Sequence, residues 1–455
     1  MFHETFNGRY GFTMPQFIGP NRDIIFHFND DPIVLASLFG GFLKCVYITQ
    51  NKTMLMKVYP SLFLVLIIFG CAESPSIKLK NKKTVGLENQ PVVLSRSYFD
   101  LKSKDYLNFY THSQQTIPVQ FDDLDGDGLW DEAALELNFQ PSEELSLSYK
   151  VISHDQMPDF EVKTNAHFGV STTRDNNFVS SQEVVRPEDH VAQSKPFLYQ
   201  FEGPGWESDK VAFRAYFDSR NGKDIFGKRN GEIILPIVGA GDNYHELDDW
   251  GMDVLKVGGS LGAGAIGILK NDSIYRLTNT KKASFKIITQ GAVRTVIEFK
   301  YEGWEAGLFS YDLKETISIW AGKRHYQSDL LLSGDGQDTL VTGIVNLKEL
   351  ESKTLKTPNT KLHYTHGKQS ESDDYLGMGL IIPENSLIGF GEAPKSGLGV
   401  TNTYTALLKP NNGVYQFAFY VGWELENPDF KNEDLFVKAL KEETTAFNNS
   451  IEIKK

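Results

Sequence analysis

From residue 92 onward, apolar and polar residues trade places in short bursts. Segments 92–95, 134–139, 145–152, 211–217, 284–288, 293–300, 316–320 and 415–421 are rich in β-branched and aromatic residues. Asp-Gly, Asn-Gly and Ala-Gly turns punctuate them. That pattern predicts strands. One stretch has the other period: over 432–447, Leu435, Phe436, Ala439 and Leu440 share a helical face, and Lys and Glu cover the opposite one. A second, short helix is expected over 247–256. The balance predicts an all-β protein, a large antiparallel β-sandwich of stacked sheets with a C-terminal helix. No fixed-period repeat speaks for a propeller or solenoid. No clean linker interrupts 92–455, so this stretch is expected to form a single domain.

A different pattern occupies residues 56–71, MKVYPSLFLVLIIFGC. Lys57 gives a positive start, 61–69 are almost wholly apolar, and Gly70 precedes Cys71. This is the layout of a secretory signal peptide. The run Ile68-Phe69-Gly70-Cys71 resembles the lipobox of a bacterial lipoprotein, with the lipid placed on Cys71. A membrane-spanning helix is the rival reading, but the run is shorter than the ~20 residues that crossing requires. The expected location is the cell envelope, in the periplasm or on the outer-membrane surface. Residues 1–55 then read as an upstream extension without function, whose apolar patch at 33–48 reads as a helix. Residues 72–91, rich in Ser, Lys and Asn, read as a tether joining the lipidated Cys71 to the domain.

Composition narrows the chemistry. Of 455 residues, 40% are hydrophobic and 12% aromatic, enough for a packed core. The two cysteines are Cys45 and Cys71, which leaves the expected mature domain without a disulfide, a thiol nucleophile or a cysteine zinc ligand. A net charge of -13 argues against nucleic acid as partner. It leaves room for an anionic substrate in a local basic groove.

Four stretches carry candidate chemistry. Asp123, Asp125, Asp127 and Asp131 alternate with Gly126 and Gly128, like the first half of a calcium loop. The twelfth position, where a bidentate Glu belongs, is Ala134. A structural calcium ion is one reading and an Asp/Gly turn feeding a strand is the other. Around 211–220, period-2 alternation sends Phe213, Ala215 and Phe217 to a core and lines up Arg214, Tyr216 and Asp218 on the opposite face. That row suits an anionic sugar, since Arg pairs bidentately with a carboxylate or sulfate. It also suits a solvated face with an Arg–Asp pair. Segment 243–256 gathers His245, Asp249, Trp250 and Lys256. There His245 is a candidate base and Trp250 a candidate sugar platform, against a purely structural histidine. His363, His366 and Tyr375 form one further group, and Tyr420, Trp423 and Glu424 another. Gly262, Gly264 and Gly267 match GxGxxG, but no helix or distant acid follows, so nucleotide binding is rejected in favour of close backbone packing. HExxH is absent, and no GxSxG nucleophile elbow of the strand–turn–helix kind is expected.

Taken together, segments 122–132, 206–209 leading into 213–220, 224–228, 245–264, 364–367 with 375–378, and 422–424 resemble one family. It comprises exported proteins of polysaccharide-degrading marine bacteria catalogued as a domain of unknown function. One branch is similar to ulvan oligosaccharide dehydratases. The resemblance runs from about residue 92 to the C-terminus. It implies a mutarotase-like supersandwich and an enzyme that eliminates water from a non-reducing-end glucuronic or iduronic acid, giving an unsaturated uronic acid. No cofactor is required for that reaction. It needs a cation for the carboxylate, a base for the C5 proton and an acid for the departing C4 hydroxyl. On residue chemistry alone, Arg214 takes the carboxylate, His245 the base role and Tyr216 the acid role. Lys256 and His366 stand in reserve, and Asp249, Trp250, Tyr375 and Trp423 are expected to contact substrate. The alternatives are a polysaccharide lyase that cuts the chain and a non-catalytic glycan-binding lipoprotein.

Overall fold

The computed structural model describes residues 75–455 except 174, 194, 241, 242, 336, 337, 449, 450 and 455, with residue 446 described by its backbone alone. Before residue 75 it describes the backbone of five strands. Residues 1–74 and 75–455 form separate units. In the first, Gln16–Ile18, Asp23–Phe28, Asp31–Phe39, Phe42–Thr49 and Lys52–Lys57 pair in sequence order. The apolar patch at 33–48 is therefore two paired strands, not a helix. The apolar leader after Lys57 and the lipid site Cys71 lie outside the described residues.

In the second unit, a nine-stranded antiparallel sheet is the largest layer. In spatial order its strands are Glu183–Val185, Lys282–Thr289, Arg294–Ala306, Phe309–Trp320, His325–Gly334, Tyr415–Trp423, Tyr375–Pro383, Thr360–Lys368 and Lys353–Thr357. Two five-stranded sheets face it. One runs Thr164–His167, Gly205–Ser208, Val211–Ala215, Lys223–Lys228, Gly251–Asp253. The other is built around Gly267–Lys270, Thr339–Val345 and Thr403–Leu408. Phe213 and Ile225 from the first, Ile268 and Ile344 from the second, and Phe299, Leu380 and Phe419 from the large sheet share one core. Burial of each such side chain contributes about 1.5–3 kcal/mol. The helix Glu433–Phe447 covers the other face of the large sheet through Phe436 and Leu440. Leu87–Ser95, Val119–Asp122 and Glu132–Phe139 form a three-stranded sheet that shares a separate core with a four-stranded one.

All eight expected strands are present in whole or in large part, and the C-terminal helix is in place. Two further expectations fail. The tether at 72–91 does not hold beyond residue 75: Ser76–Asn81 and Leu87–Ser95 are strands, with Ile77, Leu79 and Leu87 buried. Segment 247–256 is not a helix. It is a turn followed by the strand Gly251–Asp253, because Gly251 lies at φ +135° and packs against the Gly227 carbonyl, where a Cβ would come within 1.8 Å. Gly264 shows the expected close packing, at φ +85° against the Tyr326 hydroxyl. Among the described residues no helix is long and apolar enough to cross a membrane.

Candidate active site

Strand register builds the site. Arg214 pairs directly with Asp224, and Phe226 with Asp253, on three neighbouring strands. Period 2 turns Phe213 and Ala215 into the main core and Arg214 to the opposite face. That second face is also covered. Ile234, Leu235, Val238 and Trp250 fold back over Ala212 and Phe226, and the Asp253 N–H donates to the Tyr244 carbonyl. Arg214 is thus 1% exposed.

Its guanidinium is fully engaged by the protein. Nε and Nη2 donate to Asp224 Oδ2 at 3.2 and 2.7 Å, and Nη2 to Asp253 Oδ2 at 2.7 Å and the Tyr216 hydroxyl at 3.2 Å. Nη1 donates to the Tyr244 hydroxyl at 3.1 Å and the Phe201 carbonyl at 3.4 Å. No N–H is left for a substrate carboxylate, so that role for Arg214 is corrected. Tyr216 is corrected with it: buried, it donates to Asp224 Oδ2 at 2.6 Å, and its proton is directed inward. Asp218 leaves the row because the strand ends at Ala215; it pairs with Arg220 in the following turn.

His245 stands at the surface above this network, with its side chain 59% exposed. Nδ1 lies 3.3 Å from Asp253 Oδ2, and its ring lies 4.5 Å from that of Tyr244. Burial and the Arg214 charge pull the imidazole below its usual range, so it is neutral near pH 7. Burial and the neighbouring Asp224 push the Asp253 carboxyl well above the carboxylate range. In the tautomer whose Nδ1–H is turned to Asp253, the Nε2 lone pair is free to act as a base, and the imidazolium that results lies against Asp253. Burial raises the Tyr244 phenol, while Arg214 acts in the opposite direction. Tyr244 thus keeps its proton, yet has a cation ready for the phenolate.

A cleft of about 440 Å³ lies beside the pair, lined by Leu255, Lys256, Leu347, Lys348, Gln369 and Glu371 among others. Glu371 ties it to the site. Its N–H donates to the Val254 carbonyl, and its charge acts on both His245 and Asp253. Lys256 is exposed in this cleft and makes no ion pair among the described residues.

The remaining candidates separate. Asp249 is exposed on the turn before Gly251. Trp250 is 6% exposed and packs edge-on against Phe226. Trp423 is 2% exposed and lies against Gly227, where a Cβ would meet it at 2.5 Å. Both indoles are core residues rather than sugar platforms. His366 and Tyr375 do come together, with ring centres 5.9 Å apart. They sit on the helix-covered face of the large sheet, where His366 Nε2 bonds the Phe430 carbonyl. In the acidic loop, carboxylate oxygens of Asp123, Asp125 and Asp131 lie within 4.8 Å of one another. Asp127 stays outside the group and accepts from the Leu129 N–H. Tyr244, Asp224 and Asp253 lay within segments that stood out by composition or resemblance, but no sequence signal gave them a role.

Residues 79–453 match the model of a family described as a domain of unknown function, DUF4861. An uncharacterized protein, P7, of Formosa agariphila is 24% identical over 267 residues, which is 54% of this chain and 66% of that protein. Among solved structures, an alpha-mannosidase from Enterococcus faecalis V583 aligns over 84% of this chain and 46% of its own, at 8% identity and TM-score 0.40. A glycosyl hydrolase family 38 protein from Enterococcus faecalis aligns over 84% of this chain and 48% of its own, at 8% identity and TM-score 0.41. The chain spans about half the length of these two structures, and at these scores the likeness carries no functional argument.

Proposed function

The chain belongs to the DUF4861 family, described as a domain of unknown function, and on that premise we propose that it is an oligosaccharide dehydratase acting on a non-reducing-end uronic acid, of the kind found in ulvan. The observation that carries the reading is His245 Nδ1 held 3.3 Å from Asp253, with the Tyr244 hydroxyl alongside on Arg214. Lys256, in the adjoining cleft, takes the substrate carboxylate and the charge that builds on it as C5 loses its proton. His245 Nε2 accepts that proton. The C4–O bond breaks as the C4–C5 double bond forms, and Tyr244 protonates the departing hydroxyl, which leaves as water. Arg214 Nη1 stabilises the phenolate until a proton returns from solvent. No cofactor takes part. A calcium ion at Asp123, Asp125 and Asp131, whose all-oxygen donor set suits a hard cation, would serve the loop and not the reaction. The proposal includes anchorage in the envelope through a lipid on Cys71; metabolic labelling with a fatty acid, lost in Cys71→Ser, checks it.

The test is incubation of the purified protein with oligosaccharides ending in glucuronic or iduronic acid, followed by ultraviolet absorbance and mass spectrometry. Rising absorbance with loss of one water and an intact chain is expected. Chain cleavage without water loss would instead identify a polysaccharide lyase. Retention of the glycan with no product would identify a binding lipoprotein.

A further inference from the structure

A second concavity, of about 330 Å³, contains no residue of the site described above. Its wall is almost entirely polar. Arg186, Lys281, Ser219 and Thr278 line it, with Glu188 and Glu305 also present. Arg186 Nη2 donates to Thr280 Oγ1, while Nη1 is closed off from solvent without a hydrogen-bond partner. The Tyr199 hydroxyl is also buried and unpaired. Tyr199 is 2% exposed, its phenol is raised by burial against the pull of the Arg186 charge, and the His190 ring lies 4.7 Å from its own. Lys281 is exposed and makes no ion pair among the described residues. Buried polar groups are nearly always satisfied. An unsatisfied guanidinium nitrogen on a residue that lines a polar pocket, with an unpaired ammonium on its wall, points to a ligand that supplies oxygens.

The kind of ligand follows from the donors. A guanidinium recognises planar or tetrahedral oxyanions, and hydroxyls with two carboxylates suit the hydroxyl groups of a sugar. Glu202 connects the pocket to the proposed active site. It lies 3.7 Å from Arg214 Nη1 and 2.8 Å from Arg220 Nη2, and Arg220 is the neighbour of Ser219. We propose that this pocket is a second subsite that binds an anionic sugar unit, through its carboxylate or sulfate ester, on Arg186 and Lys281. The choice of a sugar rests on the carbohydrate reading above; the anion does not.

The experiment uses calorimetry on the full chain carrying His245→Ala, so that no substrate is consumed. The probes are a sulfated uronic-acid tetrasaccharide, its desulfated form, a neutral oligosaccharide and sodium sulfate. The expected result is two binding events for the charged tetrasaccharides and one or none for the neutral sugar. Arg186→Met should remove one event, and Lys281→Met should weaken it about tenfold. Lys281 is exposed and unpaired, so its variant decides the matter even where Arg186→Met fails to fold. Unchanged stoichiometry and affinity in Lys281→Met and Arg186→Lys would overturn the subsite, whatever the turnover. Binding of sulfate alone at an Arg186-dependent site would overturn the sugar. Two Arg186-dependent events without turnover by the His245 protein would uphold the pocket and remove the dehydratase.

Discussion

Arg214 has five N–H donors, and all of them end on Asp224, Asp253, Tyr216, Tyr244 or the Phe201 carbonyl. A lysine has one point charge and cannot reproduce that fan. Arg214→Lys should therefore lower stability by roughly 3–5 kcal/mol, the cost of breaking a buried ionic network, as read by urea denaturation. His245 sits at the exposed edge of that network, and His245→Ala leaves the Arg214 bonds to Asp224 and Asp253 in place. It should keep wild-type stability and lose turnover; near wild-type rates in that variant would remove the base assignment. The two tyrosines separate the acid assignments. Tyr244→Phe should lower kcat by about 10²–10⁴, whereas Tyr216→Phe should cost about 1 kcal/mol of stability and little rate. The reverse ranking would restore Tyr216 as the acid. With the imidazole held below its usual range and the phenol above its own, kcat/KM should be flat across neutrality. It should fall on the acid side only below pH ~6.5, where His245 takes up a proton. Alternation alone placed Arg214 and Tyr216 on one face. It could not show that Asp253, 39 positions away, would occupy the guanidinium, because such a contact depends on strand order.

At the scale of elements, local pattern was legible wherever it agreed with the layer it entered. The eight alternating segments became strands because each has one apolar face to bury. Segment 247–256 misled because its apolar spacing fits a helix while Gly251, at φ +135°, faces a neighbouring carbonyl that admits no side chain. Residues 76–81 looked like a tether because only Ile77 and Leu79 are apolar. Those two are buried, together with Asn81, and the strand is paired on both sides. The acidic loop shows local pattern at its most informative. Asp123 accepts from Gly126 and Gly128, and Asp131 from Leu124, so backbone N–H groups hold three carboxylates together. Three like charges at that spacing repel unless a cation joins them. Calcium should raise Tm and a chelator lower it, by an amount equal to about 2.7 kcal/mol at a hundred times Kd. Asp123→Asn should abolish the shift and Asp127→Asn should retain it; a thermal scan unmoved by calcium would leave the loop as a turn.

At the scale of the whole molecule, three layers meet at one charged junction. Glu136 comes from the three-stranded sheet, Lys323 and His325 from the end of the large sheet, and Glu443 from the C-terminal helix. Lys323 Nζ lies 3.2 Å from Glu443 and donates to the Glu88 carbonyl at 3.3 Å. Burial would raise Glu443, yet Lys323 and His325 more than offset it and hold it at about 2. Glu136 is left with a buried Oε1 that has no partner, and burial pushes it up to about 7 against the pull of Lys323. The two carboxyls give opposite pH dependence. Between about 4.5 and 7 the folded chain holds a proton on Glu136 that the unfolded chain has released, so this group makes folding less favourable as pH rises and the loss is complete above 7. The depressed Glu443 contributes stability above about 4.5 that disappears as pH falls toward 2. Their combined optimum lies near pH 4.5. Glu136→Gln, which fixes the neutral form, should therefore stabilise the protein by roughly 3 kcal/mol at pH 8 and by almost nothing at pH 4.5. Urea denaturation at the two pH values reads the difference directly, and an equal gain at both would show that Glu136 does not titrate at this junction. Glu443→Gln should act the other way, losing roughly 3–5 kcal/mol at pH 7 because it leaves the Lys323 ammonium buried without its partner.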